Sequence, residues 1–383
     1  MYLRHQKTVL VKLSAWLLML PIAALIGCGG GGLAGTTGTT KPPAMSPEFL
    51  YVANRGSNDV SGFTINTVTG VLSPVAGSPF SAGTGPNAVV IAFGKFLYVA
   101  NSTSNDVSGY AIDQSNGALT PVTGSPFVAG TGPQAIAVDS SGKFVYVANF
   151  KSANVSAYSI NTTTGALSPV PGSPFGSGGS YYSITADPAS NFVYVSDNGF
   201  LQVAAFVIDA TSGALSPVPG GPFPAGADPL GLVVDPLGKI LYVTDVVSAS
   251  NGNLLAYSIN ATTGHLAAIA GSPFAVGSEP MSVAIDPGDK FAYVTLNGGP
   301  TVAGLQINAA TGAVSPIAGS PFPAQNPSGV VVDSSGKFVY VSNPNLNTVA
   351  AYTINATTGA LTAISSPVSS GTGPTGVAVS TTQ

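Results

Sequence analysis

Side chains able to do chemistry are scarce in this sequence, and the scarcity narrows the choices. Beyond residue 27 there is one arginine, Arg55, one histidine, His265, and one cysteine, Cys28. A guanidinium can hold a carboxylate or phosphate through two parallel hydrogen bonds, so Arg55 is the candidate for gripping an anionic group. Asp197 and Asp245 stand 245 − 197 = 48 residues apart in matching surroundings. They are the best carboxylate pair for acid–base work or for a divalent cation. No compact calcium-loop spacing accompanies them, and a single cysteine excludes a zinc cluster, so no metal and no other cofactor is expected. Ser-His-Asp chemistry needs a central histidine. His265 instead lies in Thr263-Gly264-His265-Leu266, a hairpin leading into an outer strand, where a surface position is expected.

The elements that must position these residues are written as a repeat. Tyr51-Val52-Ala53-Asn54 recurs as Tyr98-Val99-Ala100-Asn101 and Tyr146-Val147-Ala148-Asn149, and returns with small changes at Tyr194, Tyr242, Tyr293 and Tyr340. Successive tyrosines are 47, 48, 48, 48, 51 and 47 residues apart. A period in the high forties carrying only strand signals means a β-propeller with one blade per repeat. Residues 132–175 show the unit. Gln134–Val138 alternates as one strand, and Asp139-Ser140-Ser141-Gly142 is a type I turn. Lys143–Ala148 is a second strand, Val155–Ile160 a third, and Ala166–Val170 a fourth whose proline marks an edge. The Gly-Ser-Pro-Phe tag that follows recurs at Gly77, Gly124, Gly271 and Gly319, and as Gly-Gly-Pro-Phe at Gly220. Each Phe is expected to plug the space between neighbouring blades, and the tag to open the crossing between them.

The ends of the chain imply closure. The first repeat starts at its second strand, Phe49-Leu50-Tyr51-Val52, and the last segment, residues 373–379, is an orphan first strand. The expected fold is therefore all-β: a seven-bladed β-propeller with four antiparallel strands per blade, over residues 49–383. Its C-terminal strand completes the N-terminal blade, leaving no free sheet edge between the termini.

Against this frame the departures stand out. The strand-end positions Asn54, Asn101, Asn149, Asn343, Asp197 and Asp245 could form a polar ring on the face carrying the blade-crossing loops, broken by Leu296. On the same face Tyr181-Tyr182 replaces the pattern of Pro133-Gln134, while Asp228 and Glu279 stand where other repeats have Gly or Asn. Residues 246–253 hold the three additional residues behind the 51 spacing. Arginine, aromatics and carboxylates are what a polar ligand site uses, so Arg55, Tyr181, Tyr182, Asp228 and Glu279 are the ligand-face candidates.

The remainder of the chain addresses location. Arg4, Lys7 and Lys12 precede an apolar stretch from Leu13 to Ile26, which ends in Leu25-Ile26-Gly27-Cys28. This resembles an export signal with a bacterial lipobox, in which the cysteine becomes lipidated and N-terminal. Residues 1–27 are then a lipoprotein signal peptide, and residues 28–48, rich in Gly, Thr and Pro, a tether. From residue 28 on there are 11 − 3 = 8 basic and 15 acidic residues, a net charge of −7. Nucleic acid is excluded as a partner, because phosphate binding needs clustered Lys and Arg. The expected molecule is an exported monomer, membrane-bound through Cys28 in the cell envelope. Gly29 is not an aspartate retention signal, which favours the outer membrane of a two-membrane cell.

The Tyr-Val-Ala-Asn strands, the Asp-x-x-Gly-Lys turns at 139–143, 235–239 and 333–337, and the Thr-Gly-Ala-Leu hairpins at Thr164 and Thr358 resemble the YVTN-type propellers. That group includes the seven-bladed lactonase family, with members akin to 6-phosphogluconolactonase and carboxymuconate cyclase. The resemblance covers residues 49–379 and implies charged Arg, His and Glu side chains around one channel mouth. No such residue carries over position by position. Two functions follow as expectations. The main one is a cell-envelope propeller serving as a binding or scaffold module for a protein or glycan, because one arginine beside several carboxylates makes an anion-repelling mouth. The alternative is a lactonase-family hydrolase opening a sugar lactone, with Arg55 as anion holder and Asp197 or Asp245 as base. Changing Cys28 to Ala should move the protein from the membrane to the soluble fraction on cell fractionation, and unchanged membrane association would refute lipidation.

Overall fold

The structure, a computed structural model, describes residues 47–380. Cys28, the expected signal and the expected tether up to residue 46 lie outside the described residues. Seven sheets radiate around one axis, and no helix occurs among the described residues. In blade three the strands are Pro133–Val138, Phe144–Asn149, Asn154–Ile160 and Leu167–Pro169, paired antiparallel from the axis outward. The second strand is buried at every residue. It has a strand on either side in its own sheet and a neighbouring blade over each face, so an uninterrupted apolar run suits it better than alternation. The Asp139 carboxylate accepts the Phe144 N–H at 2.7 Å across the turn, and Gly142 supplies the positive φ of 70°.

The Gly-Ser-Pro-Phe tags differ from the expectation. The chain does not leave the blade after the tag; it returns to the third strand. Phe80–Ser81 pairs with Asp59 and Val60, while Leu72–Pro74 pairs further along the same strand. The outer strand is thus split, with the tag as the break. The tag serine spans the gap: Ser78 Oγ accepts the Gly62 N–H at 2.9 Å, and Ser125 and Ser173 do the same for Gly109 and Ala157. A backbone donor that the split would orphan is satisfied by a side chain. The phenylalanines do pack between blades, as Phe80 does against the apolar cluster shared by blades one and two.

Every blade is fastened to the next by the same contact. The second-strand tyrosine is fully buried and donates its hydroxyl to the carbonyl of the hairpin glycine in the following blade. Tyr51 reaches Gly117 at 2.7 Å and Tyr98 reaches Gly165 at 2.7 Å. Tyr146, Tyr194, Tyr242 and Tyr293 repeat the contact at 2.8–3.1 Å. Tyr340 returns to Gly70 of blade one at 3.1 Å. Burial pushes these hydroxyls above their ordinary pKa, so they remain donors. The acceptor must be glycine: Gly117 has φ 78°, and a Cβ there would collide with the Phe49 ring.

The ring closes as expected. Pro374–Val379 pairs with Glu48–Asn54, with Tyr51 opposite Ala378. Ser380 Oγ accepts the Phe49 N–H at 2.8 Å, taking the place that Asp139 holds in blade three. The first strand begins at Glu48, one residue inside the stretch assigned to the tether, and Glu48 accepts a hydrogen bond from Ser334 of blade seven at 2.8 Å. Tyr340→Phe leaves the Gly70 carbonyl buried and unpaired, with an expected loss of about 1–3 kcal/mol. Removing residues 374–383 takes the inner strand from blade one and should lower the melting temperature far more. Thermal unfolding at parental temperature for both variants would overturn this account of closure.

Candidate functional site

The face carrying the blade-crossing loops holds a cavity of about 240 Å³ on the axis. Five inner strands begin with proline at this mouth, which needs no ladder donor at a strand start. Just after the start the pairing slips, between Pro86 and Ala88, Pro133 and Ala135, Tyr181 and Ser183, and Pro280 and Val283. A bulge leaves one residue unpaired and re-aims its side chain. The skipped residues line the axial cavity: Asn87, Gln134 and Tyr182, and in the sixth blade, where two are passed over, both Met281 and Ser282. Ser328, Thr375 and Arg55 also line it.

A second hollow of about 270 Å³ shares Arg55, Gln134 and Tyr182 with the first and adds Ser102, Thr103, Phe150 and Lys151. The two run together around those three residues. Phe150 meets Tyr182 edge to face, with ring centroids 6.2 Å apart. Arg55 is exposed at the side chain, while its backbone N–H is tied to the Gly373 carbonyl at 2.9 Å. The Tyr182 hydroxyl is pushed up by burial and then by the Asp228 charge, against a hydrogen bond from Gln134 and the Arg55 charge. It therefore stays protonated at neutral pH, ready to donate.

The other expected residues are dispersed. Tyr181 is 2 % exposed and turned into the core between blades three and four, since successive strand residues point to opposite sides. Asp228 is half-buried in the crossing loop of blade five. Its carboxyl is raised above the usual range by burial and then by the charge of Asp245, and Asn198 Nδ2 donates to its Oδ1. Glu279 is half-buried at φ 48° in the next crossing loop and lines neither hollow. Residues 246–253 lengthen a β-hairpin, pairing Val246 with Gly252 and Ser248 with Asn251. His265 is exposed and meets Phe223 edge to face at 4.8 Å, away from the mouth.

Asp197 and Asp245 sit where substrate cannot reach. They are 0 % and 2 % exposed. Asp197 Oδ1 accepts the N–H groups of Gly179 and Ser180 at 3.0 and 2.8 Å, and its Oδ2 accepts from Gln202 at 3.0 Å. Asp245 Oδ1 accepts from Ala227 and Asp228 at 2.7 and 2.8 Å. Both carboxylates fasten the crossing loop onto their blade. Where the residue is Asn, serines take over: Ser108 and Ser104 accept the N–H groups of Gly83 and Thr84, and Asn101 Nδ2 turns to Asp106 and Ser108. The expected polar ring is therefore buried, with Asp197 and Asp245 engaged beneath the loops. Lys151, which sequence reasoning passed over, joins Arg55 at the rim. The one available signal was position: Arg55 and Lys151 lie one and two residues beyond equivalent asparagines, Asn54 and Asn149. Among the described residues no group of His, Cys, Asp or Glu is placed to hold a metal ion.

A family model described as "Lactonase, 7-bladed beta-propeller" matches residues 44–131, 77–180 and 178–379. Among solved structures, one from Bacteroides uniformis, with a provisional 6-phosphogluconolactonase assignment, is 18% identical with TM-score 0.75, covering 87% of this chain and 99% of its own. The periplasmic gluconolactonase of Pseudomonas aeruginosa is 17% identical with TM-score 0.71, covering 88% and 100%. A Lactobacillus plantarum protein is 19% identical with TM-score 0.70, covering 88% and 99%. At such identities the likeness is one of fold. No curated protein matches the chain. Asp197→Ala should cost about 1–3 kcal/mol, since it strips partners from half-buried loop N–H groups. Arg55→Ala, on the exposed rim, should change stability by about 0.5 kcal/mol or less. Comparable melting of the two variants would contradict these assignments.

Proposed function

The chain belongs to the lactonase family of seven-bladed β-propellers, and on that premise we propose that it opens a sugar lactone bearing an anionic group, bound at the Arg55–Lys151 rim. The observation that carries the reading is the meeting of two cations, an edge-packed aromatic pair and Gln134 in one hollow continuous with the axial cavity. Arg55 and Lys151 hold the anion. The Tyr182 hydroxyl donates to the lactone carbonyl oxygen and stabilises charge developing there. Asp228 lies outside both hollows but within electrostatic reach of Tyr182, and with its pKa raised by burial it takes, through one intervening water, the proton of the water that attacks the carbonyl carbon. The ring C–O bond then breaks, and the released oxygen takes back the proton. The names of the similar structures point to gluconolactones as the substrate class. Export and a lipid anchor at Cys28 would place the reaction in the cell envelope.

One observation favours the other reading, a non-catalytic mouth binding a protein or glycan: no carboxylate or histidine lines either hollow. Turnover separates the two. Purified residues 29–383 should hydrolyse gluconolactone or its 6-phosphate well above the spontaneous rate. Arg55→Ala and Lys151→Ala should each raise KM about 10–100-fold for the phosphorylated substrate, the weight of one charge-assisted contact. Asp228→Asn should remove most of kcat. Because the Asp228 carboxyl is raised, the rate should fall on acidification at a pH above the ordinary aspartate range. Absence of excess hydrolysis would sink the enzymatic reading and leave binding.

A further inference from the structure

On the face opposite the mouth, blades five and six enclose a cavity of about 260 Å³ where two departures from the repeat meet. The second strand opens with phenylalanine in six blades, as at Phe192 and Phe291, but with Ile240 in the fifth. The turn glycine seen at Gly142, Gly238 and Gly336 is Asp289 in the sixth, held at φ 55°. The first change withdraws a ring from beside the hairpin glycine Gly312. The second brings a carboxylate to the space so made.

That carboxylate is uncommitted. Asp289 is 8 % exposed, and its Oδ1 is buried without a hydrogen-bond partner. The charged and titratable groups facing it are Asp235, Asp286, Lys239 and Tyr242. Asp235 Oδ1 is engaged by the N–H groups of Lys239 and Ile240 at 2.6 and 2.9 Å. Asp286 takes the N–H groups of Gly288, Lys290 and Phe291. The Tyr242 hydroxyl is spent on the Gly312 carbonyl at 2.8 Å. Burial, then the charges of Asp235 and Asp286, raise the Asp289 carboxyl to about 6 against the pull of Lys239. An unpartnered buried acceptor destabilises the fold unless something donates to it. The opposite wall, Ile240, Ile259 and Ile307, is apolar.

We propose that this cavity binds a small organic cation, a primary ammonium on a compact aliphatic body. Its head donates to Asp289 Oδ1 and its body lies on the three isoleucines. A metal ion fits poorly, because one of the two lining carboxylates already holds backbone N–H groups and, among the described residues, no group of three metal-ligating side chains gathers. The site is independent of the mouth, at the other end of the blades.

The test uses n-butylammonium as probe and n-butanol as its neutral counterpart, at equal ionic strength, by saturation-transfer NMR on the folded protein. Transfer to the ammonium at millimolar concentration, at least tenfold stronger than to butanol, is expected at pH 8. It should weaken as pH falls through about 6, where Asp289 takes up a proton. Asp289→Asn keeps a residue tolerant of positive φ and should abolish the preference for the ammonium. Ile240→Phe refills the cavity with the ring of the other blades and should abolish binding of both probes while raising the melting temperature. Neither variant should alter lactone turnover, so failure here is distinct from failure at the mouth. No binding by the parent, equal binding of the two probes by the parent, or undiminished ammonium binding in either variant would overturn the proposal.

Discussion

A ring of seven blades has no central core, so everything depends on each blade docking on the next in one way. The tyrosine–glycine contact enforces that. A hydroxyl with no access to water must find an acceptor, and the geometry offers one: the hairpin carbonyl of the neighbouring blade. The acceptor glycine, in turn, leaves the space into which the preceding aromatic ring packs. Apolar clusters shared by neighbouring blades supply most of the burial, as between Leu50 and Val52 of blade one and Tyr340 of blade seven. They are greasy and forgiving; the directional contact sets the angle. The same bond from Tyr340 to Gly70 makes the last interface equal to the others.

A scaffold so uniform frees one face for variation. Crossing loops there are held from below by Asp197 and Asp245, or by serines where asparagine stands in their place. In blades two, three, four and six the slipped pairing at the start of the inner strand turns side chains toward the axis. Since those side chains are out of the ladder, their identity costs the fold little, and Asn87, Gln134, Tyr182 and Met281 differ accordingly. Arg55 and Lys151 stand on loops tied at the backbone and bring two cations to one hollow of a molecule that is acidic as a whole.

The blades, their number and the closing strand were legible in the sequence because they rest on local periods: alternation within strands, turn chemistry at Asp139–Gly142, and the recurrence of Tyr-Val-Ala-Asn. Arg55 and Tyr182 were legible as departures from recurrence. The split outer strand was not. Its second piece is two residues long, as at Phe80–Ser81, and its partner lies some 20 residues back, where periodicity leaves no trace.

What the sequence determined alone was the architecture and the face on which variation gathers, since repetition makes every local preference count seven times. Only the tertiary structure decided which polar residues are free to act. Asp197 and Asp245 look like a catalytic pair by type and spacing, yet the loops folded over them use up their oxygens. Lys151 looks like an ordinary surface lysine, yet the curvature of the ring sets it beside Arg55, 151 − 55 = 96 residues away in sequence and two blades on. Burial and proximity across blades are properties of the closed ring, and no single repeat contains them.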